Sequence, residues 1–258
     1  MNSIIPTIRA EGLKLRRSPI FPISILLFVF IPLMMGLMMY VSRDPELSGR
    51  LGIAGSKVAL FGDSDWPAFF RLLTLSIALI GLIGFGFIIS WVFGREYSDG
   101  TVRELLALPV PRGSIVLAKF VVIAVLCIFL SLVSLISGLV IGGAIQLPGW
   151  TNELAVQSAT IFIGTCILTI AVSTPVAFFA CYGRGYLPPM GFVILTLIVA
   201  QFIALVGLGL YFPWAIPTLY TGAGGVGTVG IVSYGILFVT ALAGFAGTVA
   251  WWYLADHS

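Results

Sequence analysis

Residues 94–109 read GREYSDGTVRELLALP and stand between two long apolar runs. Apolar side chains recur through this stretch at helical intervals of three and four residues: Val102, Leu105, Leu106 and Leu108. Charged side chains occupy the opposite helical face: Arg95, Glu96, Asp99, Arg103 and Glu104. The pattern predicts an amphipathic helix on the surface of the protein, although a solvated charged loop remains the simpler alternative.

The two ends of this predicted helix carry their own signals. Thr101 is followed three residues later by Glu104, which is the capping-box pattern of a helix start. Pro109 would end the helix. An acidic turn over residues 96–100 is expected to precede the helix, with Gly100 supplying the positive φ that a tight turn needs.

The composition of the whole chain shows why this charged stretch is unusual. Apolar residues make up 59% of the 258 residues and charged residues 9%, against about 45–50% and 25% in a soluble domain. We predict an all-α integral membrane protein, with one transmembrane domain over residues 1–258 and six spans of roughly 20 or more residues each. The predicted spans are Phe21 to Val41, Leu72 to Phe93, Ile115 to Ile145, Leu154 to Tyr182, Tyr186 to Leu210 and Val229 to Leu254.

The distribution of Lys and Arg predicts how the spans are oriented. The amino-terminal segment, residues 94–119 and the connection between spans four and five hold nine of the thirteen basic residues. By the positive-inside rule these segments and both termini are cytoplasmic. The net charge of +3 is therefore mainly a signal of topology, and without a basic groove we expect no nucleic-acid partner.

The amino-terminal segment, residues 1–18, mixes isoleucine and leucine with basic residues that include Arg16 and Arg17. This mixture predicts a helix lying flat at the cytoplasmic interface before span one. The apolar stripe is imperfect, so a plain basic flank to the first span is the alternative.

Residues for catalysis are scarce. The one histidine, His257, stands next to the last residue, which leaves no histidine for a zinc motif or a catalytic triad within the spans. No lysine follows a glycine, so the chain lacks a phosphate-binding loop. The three cysteines, Cys127, Cys166 and Cys181, show no metal-binding spacing and are read as small buried apolar residues. We therefore expect neither an enzyme nor a bound metal.

Small and mildly polar residues replace charges in the middle of the spans. Two small-residue faces, Gly86–Ser90–Gly94 and Ser134–Gly138–Gly142, predict close helix packing, with a substrate contact at Ser90 as the weaker alternative. Gln201 in span five predicts a hydrogen bond between helices or a ligand contact. Pro32 and Pro175 predict kinks, and their similar positions in two three-span halves weakly suggest an inverted repeat.

The connection between spans five and six, residues 211–228, carries no charge. It is rich in aromatic residues and proline, namely Phe212, Pro213, Trp214, Pro217 and Tyr220. Such a segment on the outer face either dips back into the membrane or forms an ordinary aromatic connection at the interface.

Taken together, these features resemble the permease subunit of ABC-2 type transporters, particularly the bacitracin and lantibiotic-immunity exporters. The resemblance rests on six spans, the amino-terminal segment, GREYSDGTVRELLALPVPRGSIVLAK after span two and FPWAIP before span six. It extends over essentially the whole chain and is most specific at Glu96, Gly100 and Thr101.

The resemblance implies a set of partners and sites. Two permease chains, identical or closely homologous, would associate with two copies of a separate ATPase subunit that binds ATP and magnesium, while this chain binds no cofactor. Spans one and five would form the permease seam, with the substrate path between the two copies. Arg16 and Arg17 would lie near the ATPase, and Phe212 to Tyr220 would form a re-entrant hairpin that closes the outer exit. The coupling helix that docks on the ATPase would map to Arg95, Glu96, Asp99, Gly100, Thr101, Arg103, Glu104, Leu105, Leu106 and Leu108.

From this resemblance we expect an exporter in a bacterial cell membrane, embedded among lipids and driven by the ATPase partner. The lack of charges in the middle of the spans favours an amphipathic or hydrophobic substrate, such as a peptide antibiotic or a lipid. The alternatives are a secondary transporter or channel and a membrane signalling scaffold, neither of which would need an ATPase.

Overall fold

The computed structural model describes residues 4–43, 64–101, 110–222 and 229–254. Over these ranges the chain consists of helices joined by turns, and the described residues include no strand. Among the residues that the structure describes, six helices are long and apolar enough to cross a membrane, which confirms the predicted number of spans.

The spans differ in how deeply the rest of the chain buries them. Their bounds are Ile20–Ser42 for span one, Trp66–Ser98 for span two, Arg112–Ala144 for span three, Asn152–Tyr182 for span four, Leu187–Leu205 for span five and Ile231–Leu254 for span six. In the most apolar stretch of span two, 67% of the residues are buried. In the corresponding stretches of spans five and six, only 22% of the residues are buried. Span two therefore lies at the centre of the bundle, and spans five and six lie at its edge.

Span two is longer than predicted and changes its helical geometry midway. It begins at Trp66 rather than Leu72, because the Asp65 carboxylate accepts a hydrogen bond of 2.8 Å from the backbone N–H of Ala68 and caps the helix. The segment Ile77–Gly81 is π-helical, and α-helical geometry resumes after it. Span two thus crosses the bundle as one helix with a widened central turn, a feature that is rare in proteins.

Span four is broken where the sequence predicts a kink. Its first helix ends at Ser173, and a second helix begins at Pro175, whose missing N–H is no loss in a first turn. The Thr174 hydroxyl donates hydrogen bonds to the carbonyls of Ala171 at 2.9 Å and of Ala241 on span six at 3.1 Å. Pro32 differs, because it lies inside the unbroken helix of span one. The two prolines therefore do not form an equivalent pair.

The small-residue face of span two packs against the start of span five. A Cβ atom added to Gly86 would come within 2.6 Å of the Val193 side chain, and one added to Gly94 would come within 2.9 Å of the Gly185 carbonyl oxygen. Between them the buried Ser90 hydroxyl donates a hydrogen bond of 3.2 Å to the carbonyl of Tyr186. The predicted role of this face in close helix packing is confirmed.

The second small-residue face packs in the same manner. A Cβ atom added to Gly138 would meet the Leu73 side chain at 2.8 Å, and one added to Gly142 would meet the Trp66 ring at 2.5 Å. Both partners lie on span two. Spans two and three therefore approach closely because glycine leaves room for large side chains on the facing helix.

The amino-terminal segment forms a helix over Ile4–Arg16 and packs on span three. Its buried residues are Glu11 and Leu15, whereas Ile5 is 62% exposed and Leu13 is 54% exposed. The face turned toward the bundle therefore includes a carboxylate, and part of the apolar stripe points away from it.

The connection after span five folds back against the bundle. It contains a 3-10 turn, Gly209–Tyr211, and a short helix, Ile216–Tyr220. Ile216 is fully buried and packs in one cluster with Leu168 of span four and Leu237 of span six. We call residues 209–222 the outer segment; residues 223–228, which belong to the same predicted connection, lie outside the described ranges.

Candidate functional site

Three helices meet at one end of the bundle, which we call the basic end. They are the amino-terminal helix, the carboxyl-terminal part of span two and the first turns of span three. Each contributes ionisable side chains to a shared buried region, including Glu11, Glu96 and Lys119. At this end the predicted coupling helix, which spans residues 95–108 and is called the docking segment below, joins the membrane helices.

An ion cluster holds these helices together. The Lys119 Nζ atom lies 2.8 Å from Glu11 Oε2 and 2.7 Å from Glu96 Oε1, and the Lys119 side chain is 1% exposed. The Lys14 Nζ atom, which is half-exposed, lies 2.9 Å from Glu11 Oε1 and 3.7 Å from Glu96 Oε1. Glu11, Lys14, Glu96 and Lys119 therefore form a compact cluster with two ammonium and two carboxylate groups.

Burial makes the ion cluster sensitive to the loss of any member. A buried ion pair gives little net stability relative to apolar residues, but removing one partner leaves a buried charge without compensation and costs about 3–5 kcal/mol. Lys119 is the critical member, because it contacts both buried carboxylates and also donates a hydrogen bond of 3.4 Å to the carbonyl of Val92.

The pKa of the Glu11 carboxyl is shifted by the same contacts. Burial of Glu11 favours the neutral acid and raises its pKa, but the charges and hydrogen bonds of Lys119 and Lys14 lower it. The net result is a pKa below the usual value of 4.5. Glu11 is therefore ionised at neutral pH and pairs with Lys119 as a carboxylate.

The charged stretch after span two begins as helix rather than as a turn. Helical geometry continues through Ser98, so the predicted acidic turn over residues 96–100 is wrong at its start. The turn itself follows, where Gly100 has φ of 70° and the N–H of Thr101 donates a hydrogen bond of 3.0 Å to the carbonyl of Glu96. This is a Schellman ending, for which glycine is favoured because it adopts positive φ without steric cost. The predicted positive φ at Gly100 is confirmed.

Glu96 and the residues after it face different surroundings. The Glu96 side chain is 7% exposed within the ion cluster. Arg95 and Asp99 are exposed and pair with each other, with 2.9 Å between Arg95 Nε and Asp99 Oδ2. Gly100 is exposed and Thr101 is half-buried. Within the described part of the docking segment, Glu96 is thus buried in the bundle. Arg95, Asp99 and Gly100 are exposed on its surface.

Several predicted docking residues lie outside the described ranges. They are Arg103, Glu104, Leu105, Leu106 and Leu108. The amphipathic helix and the pairing of Thr101 with Glu104 therefore stay predictions.

A cavity of about 570 Å³ opens beside the ion cluster, between the amino-terminal helix and spans two and three. Arg17 lines it from the amino-terminal side, and Arg95 and Asp99 line it from span two. The structure therefore brings Arg17 beside Arg95 and Asp99, whereas Arg16 is exposed and does not line this cavity. That both arginines lie near the ATPase stays a prediction.

The predicted gate residues pack against spans four and five. The Trp214 ring lies 5.4 Å from the Phe192 ring, centroid to centroid, and the same distance from the Phe212 ring. Tyr220 fills the space beside Gly164, where an added Cβ atom would come within 2.5 Å of the Tyr220 hydroxyl. Pro217 is buried, and Pro213 lies in the turn before the short helix.

The two residues predicted for a substrate path, Ser90 and Gln201, differ in burial. Ser90 is 1% exposed and its hydroxyl is bonded to span five, so it contributes to helix packing. Gln201 is exposed on span five. The structure therefore does not bring Ser90 and Gln201 to a common site.

Sequence reasoning missed the pairing of Glu11 and Lys119. The distribution of basic residues assigns Lys119 only to one side of the membrane, and no local pattern links it to Glu11. The available signal was the position of Lys119 inside a long apolar run, because an ionisable residue in a spanning helix needs a partner.

The described ranges contain no group of three His, Cys, Asp or Glu side chains placed to hold a metal ion. Cys127, Cys166 and Cys181 are free and buried, as their apolar surroundings predict.

Comparison with known proteins gives two matches. Residues 7–202 match the family described as ABC-2 family transporter protein. The chain is also 28% identical over 140 residues to the bacitracin transport permease protein BCRB of Bacillus licheniformis. The aligned region covers 54% of this chain and 67% of that protein.

Proposed function

Because the chain belongs to the ABC-2 transporter family, whose permeases act with ABC ATPase subunits, we propose that it is the permease of an exporter driven from its basic end. It is a non-catalytic transmembrane subunit with six spans. The basic end faces the cytoplasm in this proposal, since it holds most of the lysine and arginine residues.

The observation that carries the proposal is the attachment of the docking segment to two spans at once. Arg95 and Asp99 stand on the last turns of span two, whose helix is continuous into the surface turn at Gly100. One turn deeper in the ion cluster, Glu96 is bound to Lys119 of span three. A force applied at the surface turn therefore acts on spans two and three together.

In the proposed mechanism the ATPase binds Arg95, Asp99, Gly100, Thr101 and the amphipathic residues that follow. Glu96 acts differently from the other predicted docking residues, because it joins the docking segment to the bundle instead of contacting the partner. Nucleotide binding and hydrolysis move the spans only if the ATPase states differ in their affinity for the segment. A short, stiff connection passes that difference to the helices.

A second copy of the chain, or a close homologue, completes the proposed transporter, together with two ATPase subunits. Span five offers an exposed apolar face that includes Phe202 and Leu205, and Gln201 stands exposed on the same helix. An amide facing hydrocarbon is costly without a hydrogen-bond partner. A facing span of the second copy, such as span one, would supply that partner, and the substrate path would run between the copies.

The outer segment is proposed to be a re-entrant gate at the outer exit. Its support is the contact of Trp214 with Phe192, which lies near the start of span five at the basic end rather than near Leu205 at the other end. Reaching Phe192 requires the segment to run back along span five. The proposed substrate is an amphipathic peptide antibiotic or a lipid, in keeping with the transport of bacitracin by the relative.

The docking role is tested by changing the apolar face of the segment. The variant Leu105→Asp with Leu106→Asp is expressed together with the ABC ATPase subunit that the unaltered chain binds, and copurification of the ATPase and bacitracin resistance are measured. We expect at least about tenfold less ATPase bound, because burying two carboxylates in an apolar contact costs more than 1.4 kcal/mol. Leu208→Asp, an exposed leucine at the opposite end, serves as the matched control.

Normal membrane insertion with unchanged ATPase binding in the double variant would overturn the docking role. Transport by the purified chain alone, driven by an ion gradient, would instead establish the secondary transporter.

A further inference from the structure

A second cavity, with a volume of 290 Å³, lies among spans two, three, four and six. Span three lines it from Leu117 to Cys127, and both residues fall in the first half of this 33-residue helix, which starts at the basic end. The two positions are ten residues apart, which is about 15 Å along a helix axis. The cavity is therefore narrow and runs from near the basic end toward the middle of the membrane.

The walls of this cavity are apolar. Phe85 and Ile89 of span two and Cys127 of span three form its buried floor. The hydroxyl groups of Ser173 and Thr174 on span four also line it, but both already donate hydrogen bonds to backbone carbonyls. Among the described residues no charged side chain lines the cavity. Apolar cavities of this kind exclude water, so the occupant has to be apolar.

The mouth of the cavity opens on a surface that faces hydrocarbon. Leu117 and Val121 line the cavity and are each 37% exposed, so they stand at its rim. They begin a row of exposed apolar side chains at helical intervals, which continues along span three through Val125, Ile128 and Leu132. Because span three crosses the membrane, this row lies against lipid chains. The cavity is continuous with that lipid-facing surface.

We infer that the cavity holds one acyl chain of a phospholipid from the leaflet that meets the basic end. The hydrocarbon of one leaflet is about 15 Å thick, half of the ~30 Å core, which matches the length of the cavity. The chain enters past Leu117 and Val121, lies along span three and packs on Phe85 and Ile89. It is held by packing, since unfilled spaces larger than a water molecule are few in packed interiors. The inference does not depend on the proposed function.

Two other apolar occupants have to be distinguished from this lipid chain. A side chain of a second copy would have to cover the rim on span three, whereas the proposed seam between the copies uses spans one and five. The apolar part of a transported molecule would enter from the same leaflet but would compete with the lipid.

The test is photolabelling of the purified full chain in lipid vesicles. The probe is phosphatidylcholine with a diazirine in the middle of one acyl chain, and adducts are located by mass spectrometry of peptides. We expect adducts on Ile89 and Cys127, which lipid outside the cavity does not reach because they are 3% and 1% exposed. Adducts confined to exposed residues such as Val125 would overturn the inference.

A variant that fills the cavity makes the test specific. In Ala124→Phe the ring takes the space of the chain, so labelling of Ile89 should fall about tenfold, which corresponds to 1.4 kcal/mol of lost binding free energy. Labelling of Val125 should stay unchanged. Ala246→Phe is the matched control, because Ala246 is exposed beside Phe245 on span six, and it should retain the labelling of Ile89. Unchanged labelling of Ile89 in Ala124→Phe would overturn the inference.

A variant at the rim keeps the inference testable if Ala124→Phe does not fold. Val121→Trp adds bulk at an exposed position, and by covering the mouth it should lower the labelling of Ile89 but not that of Val125. Added bacitracin should leave the labelling of the unaltered chain unchanged, and a loss would assign the cavity to a transported molecule. Labelling of Ile89 that rises as the chain is diluted into more lipid would assign it to a second copy. Either result would overturn the lipid assignment.

Discussion

The two ends of the bundle are held together by different forces. At the basic end, Lys119 joins two carboxylates from separate helices at 2.7 and 2.8 Å, so the parts are connected by short, directional contacts. The outer segment, which starts at the opposite end and runs back along span five, is held by ring packing, such as that of Trp214 on Phe192, and by the fit of Tyr220 beside Gly164. Directional charges oppose separation of the helices, whereas apolar contacts allow one surface to slide on another.

This difference matches the tasks proposed for the two ends. A connection that passes force to spans two and three has to be stiff, and the ion cluster provides this at the cost of sensitivity to charge loss. A gate has to open and close with little energy, and an uncharged segment packed on glycine and aromatic rings can do so. The ion cluster and the outer segment should therefore respond differently to substitution.

The largest effect is expected from Lys119→Met. This change leaves Glu11 and Glu96 buried without their shared cation and should lower the stability of the protein by about 3–5 kcal/mol. Lys14→Met is the matched control, because Lys14 is 53% exposed and such pairs contribute about 0–1 kcal/mol. Thermal unfolding in detergent, followed by size-exclusion chromatography, compares the two variants. Equal losses would mean that burial of the ion cluster has no energetic role.

A smaller effect on stability, with a larger one on transport, is expected from Gly164→Leu. The new side chain would displace Tyr220 and with it the short helix Ile216–Tyr220, at a cost of about 1–3 kcal/mol. Gly235→Leu on span six is the control, because an added Cβ atom there meets nothing within 4 Å. Resistance to bacitracin, tested in cells to which the unaltered chain gives resistance, and thermal unfolding are measured side by side. Full resistance in Gly164→Leu would contradict the gate.

The smallest effect is a pH dependence that only the basic end should show. Because the pKa of Glu11 is lowered in the folded chain, its pairing stabilises the protein at pH above the usual value of 4.5, and this contribution is lost as the pH falls through the folded pKa. Thermal unfolding measured from pH 7 downward should therefore show a loss of stability below about pH 4.5. In Glu11→Gln this part of the pH dependence should disappear. An unchanged pH profile in that variant would assign the dependence to other groups.

Much of the fold was predictable because it depends on local patterns. Long apolar runs predict the spans, Pro175 predicts the break in span four, and Gly100 predicts a positive φ. The small-residue face from Gly86 to Gly94 predicts close packing, although not which helix it packs against. Each of these features follows from the chemistry of a few neighbouring residues.

The candidate site was only partly predictable. Asp99 and Glu96 look equivalent in the sequence, yet one is exposed and the other is buried, because helical geometry extends beyond the end of the apolar run. Gln201 is predicted to make a hydrogen bond between helices or a ligand contact, and the structure leaves it exposed on span five. Helical periodicity in a uniformly apolar span does not indicate which side meets its neighbours.

By itself, the sequence determined that this chain crosses a membrane six times and carries a charged segment after its second span. These properties follow from hydrophobicity, charge and backbone chemistry, which act over short distances along the chain. Only the tertiary structure decided that Glu11, Glu96 and Lys119 share one buried cluster. Glu11 and Lys119 are 108 positions apart, and contacts of that kind depend on how whole helices pack, which no local pattern encodes.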